Sequence, residues 1–516
     1  MEIHAGLFAH GVLQRDGQGR SDTVVRGVCR AAGPVYARVR RGSKSLPGFD
    51  RSIGAANDGA FHAKLKGIPV GGPYIVELFI AGPGGPDGKP AERLRVEDIY
   101  VGDLWILAGQ SNMQGIGWME FALKPMKSVQ AFFMNDRWAP AKDPVHNLWD
   151  AVDSVHATIR ATRPQKAPHQ GVGPGVAFGQ AMAKRTRVPQ GLIASAHGGT
   201  SMPEWDPAKL PEAGNSLYGA AIRRARKNGG RVAGIVWYQG ESDANPAASG
   251  LYTDRMATLV AAFRRDLEDP QLPFVLVQLG RFVTSGSATH WNSVQEQQRL
   301  LPRRIRRVAT VPAIDLGLDD GIHIGGRGQA VLGARLAEAM DVLIRGKRAA
   351  RPGGASLPPI ELRDIAIRRH RILGTAELVV RFANVKGKLT ADGEPHGFSL
   401  AGGGGVIQTR LEGNRAHVLT WLPVPDAASQ QLFFGQGFLP VCNIHDAAGR
   451  SLPVFGPATL GQPRAATPFV NCLEVSPLLP SAGNLDGLKY PADMQALLLK
   501  PRQFAGSFCD VHLEVG

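Results

Sequence analysis

Ser111 stands in Gly109-Gln110-Ser111-Asn112-Met113, directly behind the apolar run Leu104-Trp105-Ile106-Leu107-Ala108. A run of strand length that stops at glycine sets the next hydroxyl on a tight turn at the rim of a sheet. A serine hydroxyl is a weak nucleophile until an imidazole accepts its proton. Asp320-Gly321-Ile322-His323, about two hundred residues later, supplies an imidazole. The acid three positions before it can hold the ring in one tautomer through its other nitrogen. Ser111, His323 and Asp320 therefore predict a nucleophile, a base and an orienting acid, and the chemistry they suit is attack on an ester.

Two more segments end strand-like runs in the same manner. His197-Gly198-Gly199-Thr200-Ser201 follows Gly191 to Ala196, and Gln239-Gly240-Glu241-Ser242-Asp243 follows Gly234 to Tyr238. In open α/β sheets, sites form outside the carboxyl ends of the strands, so these segments should share one rim with Ser111 and His323. A tetrahedral oxyanion needs donors aimed at it. The amide of Ser111, an amide of Gly198 or Gly199 and the side-chain amide of Gln239 are the candidates. Gln110, Trp205, Glu241 and Arg281 are the candidate substrate contacts, with Trp205 and Trp237 suited either to a sugar subsite or to buried packing.

Several rivals are weaker. Gly240-Glu241-Ser242-Asp243-Ala244 approaches the Gly-x-Ser-x-Gly elbow of α/β-hydrolases, but its last glycine is missing and two acids would oppose an alkoxide at Ser242. Gly171-Val172-Gly173-Pro174-Gly175 is no dinucleotide fingerprint, because proline interrupts it and no strand precedes it. It reads as the turn into a helix. His146 and His197 read as structural. No His or carboxylate cluster has metal-ligand spacing, so a site without metal or other cofactor is expected.

The elements that must position these groups lie between about 98 and 345. Strand-like runs at Leu104 to Ala108, Gly191 to Ala196, Gly234 to Tyr238, Phe274 to Leu279 and Val308 to Val311 alternate with helical patterns. The latter are Val176 to Arg185, Ala220 to Lys227, Tyr252 to Leu267 and Trp291 to Leu301. This alternation predicts an α/β fold with a parallel sheet covered by helices on both faces. A closing helix is expected from Gly325 to Met340, with Val331, Leu332, Leu336 and Met340 on one side. Residues 1–97 read as an N-terminal β-sandwich, from short Val-, Tyr- and Phe-rich runs between turn clusters. A linker at 346–359 and a C-terminal β module at 360–460 follow, and 461–516 form a tail with no usable pattern.

At 516 residues the chain is too long for one core. Its net charge of +15 arises from 59 Lys and Arg against 44 Asp and Glu, in short runs scattered through every region. A nucleic-acid binder gathers such charge on one face or tail, so no nucleic-acid partner is expected. The excess fits solvated faces, with mild attraction to acidic glycans as the sharper reading. No apolar stretch approaches the ~18 to 20 residues of a membrane span. Cys29, Cys442, Cys472 and Cys509 form no Cys-x-x-Cys pair, and Cys472 with Cys509 is a possible bridge in an oxidising compartment. No signal-peptide pattern opens the chain, which leaves either an intracellular protein or one whose leader is already gone. Oligomeric state is not legible.

Four motifs together, Gly109 to Met113, Gly198-Gly199-Thr200-Ser201-Met202-Pro203-Glu204-Trp205, Trp237-Tyr238-Gln239-Gly240-Glu241-Ser242-Asp243 and Asp320 to His323, resemble the sialate O-acetylesterase group of the SGNH hydrolases. That group includes carbohydrate acetylesterases acting on xylan. Gly171 to Phe178 and the Asp-Gly-Ile-His motif resemble its plant-type branch. Leu7 to Asp16, Phe382 to Leu389 and Gly437 to Pro440 are more weakly similar to the long bacterial members. The resemblance implies a three-layer α/β/α SGNH hydrolase flanked by all-β domains, and a metal-free serine esterase that removes acetyl groups from a carbohydrate through an acetyl-serine. It implies the same roles for Ser111, His323, Asp320, the Gly198-Gly199 pair and Gln239, and an exported location. Met202 departs from the Ile common at that point of the motif. Two alternatives stand beside this reading: a non-catalytic glycan-binding protein on a hydrolase scaffold, and an esterase or lipase of different acyl specificity.

Overall fold

The strand Glu92–Gly109 carries two patterns in one 18-residue element. The computed structural model describes residues 1–49, 51–162, 171–346, 356–401 and 405–460, and this strand joins the N-terminal strands to the central sheet. In the first half Arg93, Arg95 and Glu97 are exposed while Val96 is buried; from Ile99 onward every residue is buried. Alternation suits a half-solvated antiparallel strand, and a continuous apolar run suits a strand covered on both faces. The pairing follows that division. The first half runs antiparallel to Gly71–Ile80, and the second runs parallel to Gln190–Ala194 and Gly234–Tyr238. The sheet of 15 strands is therefore mixed, where the sequence predicted a parallel one.

Its parallel part runs in the order Val129–Phe132, Gln190–Ala194, Glu92–Gly109, Gly234–Tyr238, Phe274–Gln278, Val308–Pro312. Trp138–Pro140 closes one edge antiparallel to Val129–Phe132. The helices Pro174–Thr186, Leu217–Lys227, Tyr252–Asp266, Thr289–Arg304 and Gly326–Arg345 lie between or after these strands. Pro174 takes the first helical position, where its missing N–H is no loss, as the turn reading of 171–175 requires. Helix Pro174–Thr186 packs closely on Gly326–Arg345: a Cβ at Gly333 would lie 2.5 Å from the Pro174 carbonyl. In that last helix Leu332, Leu336 and Met340 are buried, but Val331 points to solvent, one position off the apolar stripe assigned to it.

The N-terminal strands form one continuous ladder from Glu2–Ala5 through to Glu92–Gly109, not two separately paired sheets. Bulges near Tyr74 and between Ser21 and Thr23 let it bend around a core of Val25, Val39, Phe61, Leu65, Val76 and Leu78. Beyond residue 356, four antiparallel strands pair in the order Glu361–Arg369, Ala376–Ala383, Arg415–Thr420, Val406–Glu412, beside sheets of three and two strands. The buried Gln278 side chain clamps this region to the central sheet: its Nε2 donates to the Val454 carbonyl at 2.8 Å, and its Oε1 accepts from the Val454 amide at 2.9 Å.

Among the described residues no helix is long and apolar enough to cross a membrane. Cys29 and Cys442 are buried free thiols. Cys472, Cys509, the tail 461–516 and most of the expected linker 346–359 lie outside the described residues.

Candidate active site

Ser111 opens the short helix Ser111–Gln114 at the carboxyl end of the long strand. The turn that delivers it requires glycine. Gly109 has φ +132°, and a Cβ there would stand 2.1 Å from the Tyr238 carbonyl oxygen of the neighbouring strand.

The Ser111 Oγ lies 2.9 Å from His323 Nε2, and His323 Nδ1 lies 2.6 Å from Asp320 Oδ2. The two sequence-distant segments thus meet in one chain of hydrogen bonds. Asp320 Oδ1 accepts from the amides of Ile322 and His323, at 2.8 and 2.7 Å, which curls the loop beneath the ring. Burial pushes the Asp320 carboxyl up, but the His323 side chain and those two amides outweigh it, so its pKa sits below the ordinary carboxylate value. The Asp320 side chain is 48% exposed and that of His323 20%, so the pair opens to solvent.

Three residues that the sequence reading passed over hold this geometry. Buried Asn112 donates through Nδ2 to Glu241 Oε1 at 2.8 Å and to the Ile322 carbonyl at 3.3 Å, while its Oδ1 accepts from the Ile324 amide at 2.9 Å. It staples the serine turn to the histidine loop. Asp319 accepts from the Trp118 amide at 2.8 Å and the Gly326 amide at 3.0 Å. Gln114 Oε1 accepts from the Gly198 amide at 2.7 Å. Asn112 and Asp319 adjoin residues already singled out. Their signal was a polar side chain beside a reactive one, which by itself does not separate support from surface.

The expected oxyanion donors divide. The amides of Ser111 and Gly199 have no partner among the described residues, and Gly199 has φ +75°. The Gly198 amide is instead committed to Gln114. A side chain at Gly198 would bring its Cβ to 3.3 Å from that of Ser111, so that position is kept bare. Gln239 is wholly buried, and its Nε2 donates to Asp243 Oδ2 at 2.6 Å and to the Thr200 carbonyl at 3.2 Å. Its donor hydrogens are engaged there, contrary to the expectation that they face the site.

The candidate substrate contacts divide too. Glu241 is half-buried beside Asn112; burial raises its carboxyl pKa, and the Asn112 hydrogen bond opposes the rise. Gln110 is buried, and its amide, with nitrogen turned toward them, donates to Glu241 Oε2 and the Thr200 carbonyl at 3.2 Å each. Trp205 is not a substrate contact. It is fully buried, donates from Nε1 to Thr200 Oγ1 at 3.1 Å, and packs edge-on to buried Trp237 at 5.1 Å. An indole with that much apolar surface gains more in the core than at a wet rim. Arg281 donates to the Leu316 carbonyl at 3.0 Å and has no bond to Ser111 or His323 among the described residues.

His146 and His197 support the site from behind. Buried His146 spans the carbonyls of Gln114 and Leu107 at 3.2 and 3.3 Å, and burial pushes its pKa down to about 4. His197 Nδ1 lies 3.3 Å from His156 Nδ1, the rings stacked at 5.4 Å. Asp243, under the Gly198–Trp205 segment, accepts from the Met202 amide at 2.8 Å and from Arg255 at 3.3 Å. Among the described residues no group of three His, Cys, Asp or Glu side chains could hold a metal ion.

Residues 101–342 match the family of carbohydrate esterases described as sialic acid-specific acetylesterase. The chain is 32% identical over 261 residues to a protein of Arabidopsis thaliana described as a probable carbohydrate esterase, a match spanning 46% of this chain and 89% of that protein. It is 24% identical over 318 residues to the sialate O-acetylesterase of Homo sapiens, spanning 54% of this chain and 57% of the human protein. Among solved structures, a carbohydrate acetylesterase from Xanthomonas citri aligns with TM-score 0.62 and 21% identity, covering 88% of this chain and 99% of that one. At that identity the likeness is one of fold.

Proposed function

This chain belongs to the carbohydrate esterase family of sialic acid-specific acetylesterases, and from that premise we propose that it removes O-acetyl groups from a carbohydrate through an acetyl-serine. The observation that carries the reading is the continuous chain from Ser111 Oγ through the His323 ring to Asp320. The Asp320 carboxylate accepts a hydrogen bond from Nδ1–H, keeps the proton on that nitrogen and so leaves the Nε2 lone pair facing the hydroxyl. As Oγ attacks the acetyl carbon, its proton passes to Nε2 and the carbonyl oxygen becomes an oxyanion. The amides of Ser111 and Gly199 receive it, each worth roughly 3 kcal/mol of barrier. Gln239 joins them only after leaving Asp243 or Thr200.

The tetrahedral species collapses by breaking the bond to the sugar oxygen, which takes the proton from Nε2 and departs as the free hydroxyl. Water then enters, gives a proton to Nε2 and attacks the acetyl-serine. Collapse of the second tetrahedral species returns the proton to Oγ and releases acetic acid, which gives its own proton to solvent and becomes acetate. Every step uses groups of this chain, and the open face of His323 and Asp320 admits both sugar and water.

The same reading divides the chain into an N-terminal β unit to about residue 97, an SGNH-type α/β/α hydrolase from 98 to 345, and a C-terminal β unit from 360 to 460. Glu92–Gly109 runs through the first boundary, which joins the two units through an unbroken backbone ladder. Ser111→Ala is the test. Acetate release from acetylated glycans and from p-nitrophenyl acetate should fall to the solution background, and full activity in this variant overturns the assignment.

A further inference from the structure

Trp205 and Trp237 are sealed in the core, but Trp118 is 57% exposed. A tryptophan left that open forfeits most of the burial that usually justifies its size. Its backbone, by contrast, is fixed. The Trp118 amide donates to Asp319, the residue before Asp320, and its carbonyl accepts from the Phe121 amide at 3.2 Å. A Cβ at Gly326 would stand 2.8 Å from that carbonyl, so the segment lies tight against the start of the last helix. The indole is held by its base with its face left to solvent, at the edge of the loop that carries Asp320 and His323.

A second segment bonded to that loop is apolar as well. The Val283 amide donates to the Gly321 carbonyl at 2.6 Å, and Val283 is 56% exposed. Next to it the Phe282 amide donates to the Phe438 carbonyl at 2.8 Å, with Phe282, Trp291 and Phe438 packed ring against ring. This contact brings up exposed Leu439 and Val441 from the C-terminal β region. Of eleven large apolar side chains exposed among the described residues, Trp118, Met119, Val283, Leu439 and Val441 belong to segments tied to this one loop or its flank. Scattered single apolar residues need no explanation, whereas such a gathering beside a reactive group marks a binding surface.

We propose that Trp118 is the platform on which the pyranose ring bearing the acetyl ester stacks, with Val283 and the Leu439–Val441 turn forming the facing wall. The C–H face of a pyranose is apolar and flat, matching an indole face, while its hydroxyls stay in water. The inference rests on the acetylesterase reading for the identity of the ring, but the binding it asserts is measurable without turnover.

The probes are O-acetylated sialic acid and O-acetylated xylotriose, titrated calorimetrically into the Ser111→Ala protein, which cannot consume them. At least one should bind, and adding Trp118→Ala should weaken it about tenfold or more, the scale of one aromatic contact. Trp118→Phe should recover most of the affinity, which a merely structural role would not produce. Which sugar binds separates an anionic from a neutral ligand. Unchanged affinity in Trp118→Ala, or no binding of either sugar to a folded Ser111→Ala protein, overturns the platform. Binding that depends on Trp118 in a wild-type protein that releases no acetate would sink the hydrolytic reading and leave the platform standing.

Discussion

Replacing Asp320 by Asn separates the orienting role of the acid from its charge. The carboxamide oxygen of the variant can keep the hydrogen bonds that Asp320 Oδ1 receives from the Ile322 and His323 amides, so the loop should keep its shape. The other position becomes an NH2 group facing His323 Nδ1, where Oδ2 now lies at 2.6 Å. Two donors cannot face each other, so the ring must take its proton on Nε2 and present an N–H to Ser111 Oγ. In that tautomer it cannot accept the serine proton. The expected loss is about 10⁴-fold in kcat, or about 5.5 kcal/mol of barrier. Because the Asp320 side chain is 48% exposed, solvent screens the purely coulombic part of its effect, and the tautomer must carry most of the loss. Asp320→Ala, in which water can replace the carboxylate, should therefore be the milder variant. Steady-state hydrolysis of p-nitrophenyl acetate at pH 8 measures both, with thermal unfolding as the control for folding. An Asn variant that keeps more than about a tenth of wild-type kcat, or one less impaired than Ala, refutes the reasoning.

Other perturbations test the supports. Asn112→Ala leaves the Ile324 amide without its acceptor and frees the histidine loop, and a lost buried bond of roughly 1–3 kcal/mol should lower kcat about 10- to 100-fold; unaltered kcat would deny the staple. Gly109→Ala forces a Cβ against the Tyr238 carbonyl at positive φ and should destabilise by about 3 kcal/mol or more, seen as a lowered unfolding midpoint. Glu377 lies in the C-terminal β region, where burial raises its pKa but His417 and Arg368 outweigh this and hold it at about 2. Its stabilisation is therefore complete above the unfolded carboxylate value and fades as pH falls toward 2. Glu377→Gln should cost up to about 3 kcal/mol at pH 7, and less than half of that at pH 3, by urea unfolding at the two pH values.

The meeting of Ser111, His323 and Asp320 was legible because each member closes or opens an element whose pattern is local. Ser111 follows an apolar run, and Asp320 and His323 precede a strongly periodic helix. The five long helices were legible to within a few residues of their ends, as was Gly234–Tyr238, whereas short ones such as Ser111–Gln114 and Val424–Ala428 left no periodic signal. What failed depended on facing and length. The strand Glu92–Gly109 changes from alternating to continuous apolar character midway, so only its apolar end, Leu104 to Ala108, read as a strand and a domain boundary was set inside it. Nothing in the sequence separated buried Trp205 from exposed Trp118, since an indole serves core and platform alike. Gln239 lies where a donor was expected, yet Asp243, four residues on, claims its amide, and a hydrogen-bond partner inside a loop leaves no periodic trace. The mixed sheet was hidden for the same reason: antiparallel pairing of the N-terminal strands with the long strand is a long-range contact.

The central claim, that Ser111 is the attacking group, is tested most directly by reaction with a fluorophosphonate followed by peptide mass spectrometry and residual-activity assay. The account predicts one adduct, on Ser111, formed in step with loss of ester hydrolysis and absent from the His323→Ala protein. An adduct on Ser242 instead, or a fully labelled Ser111 in a protein that still hydrolyses acetate esters, would contradict it.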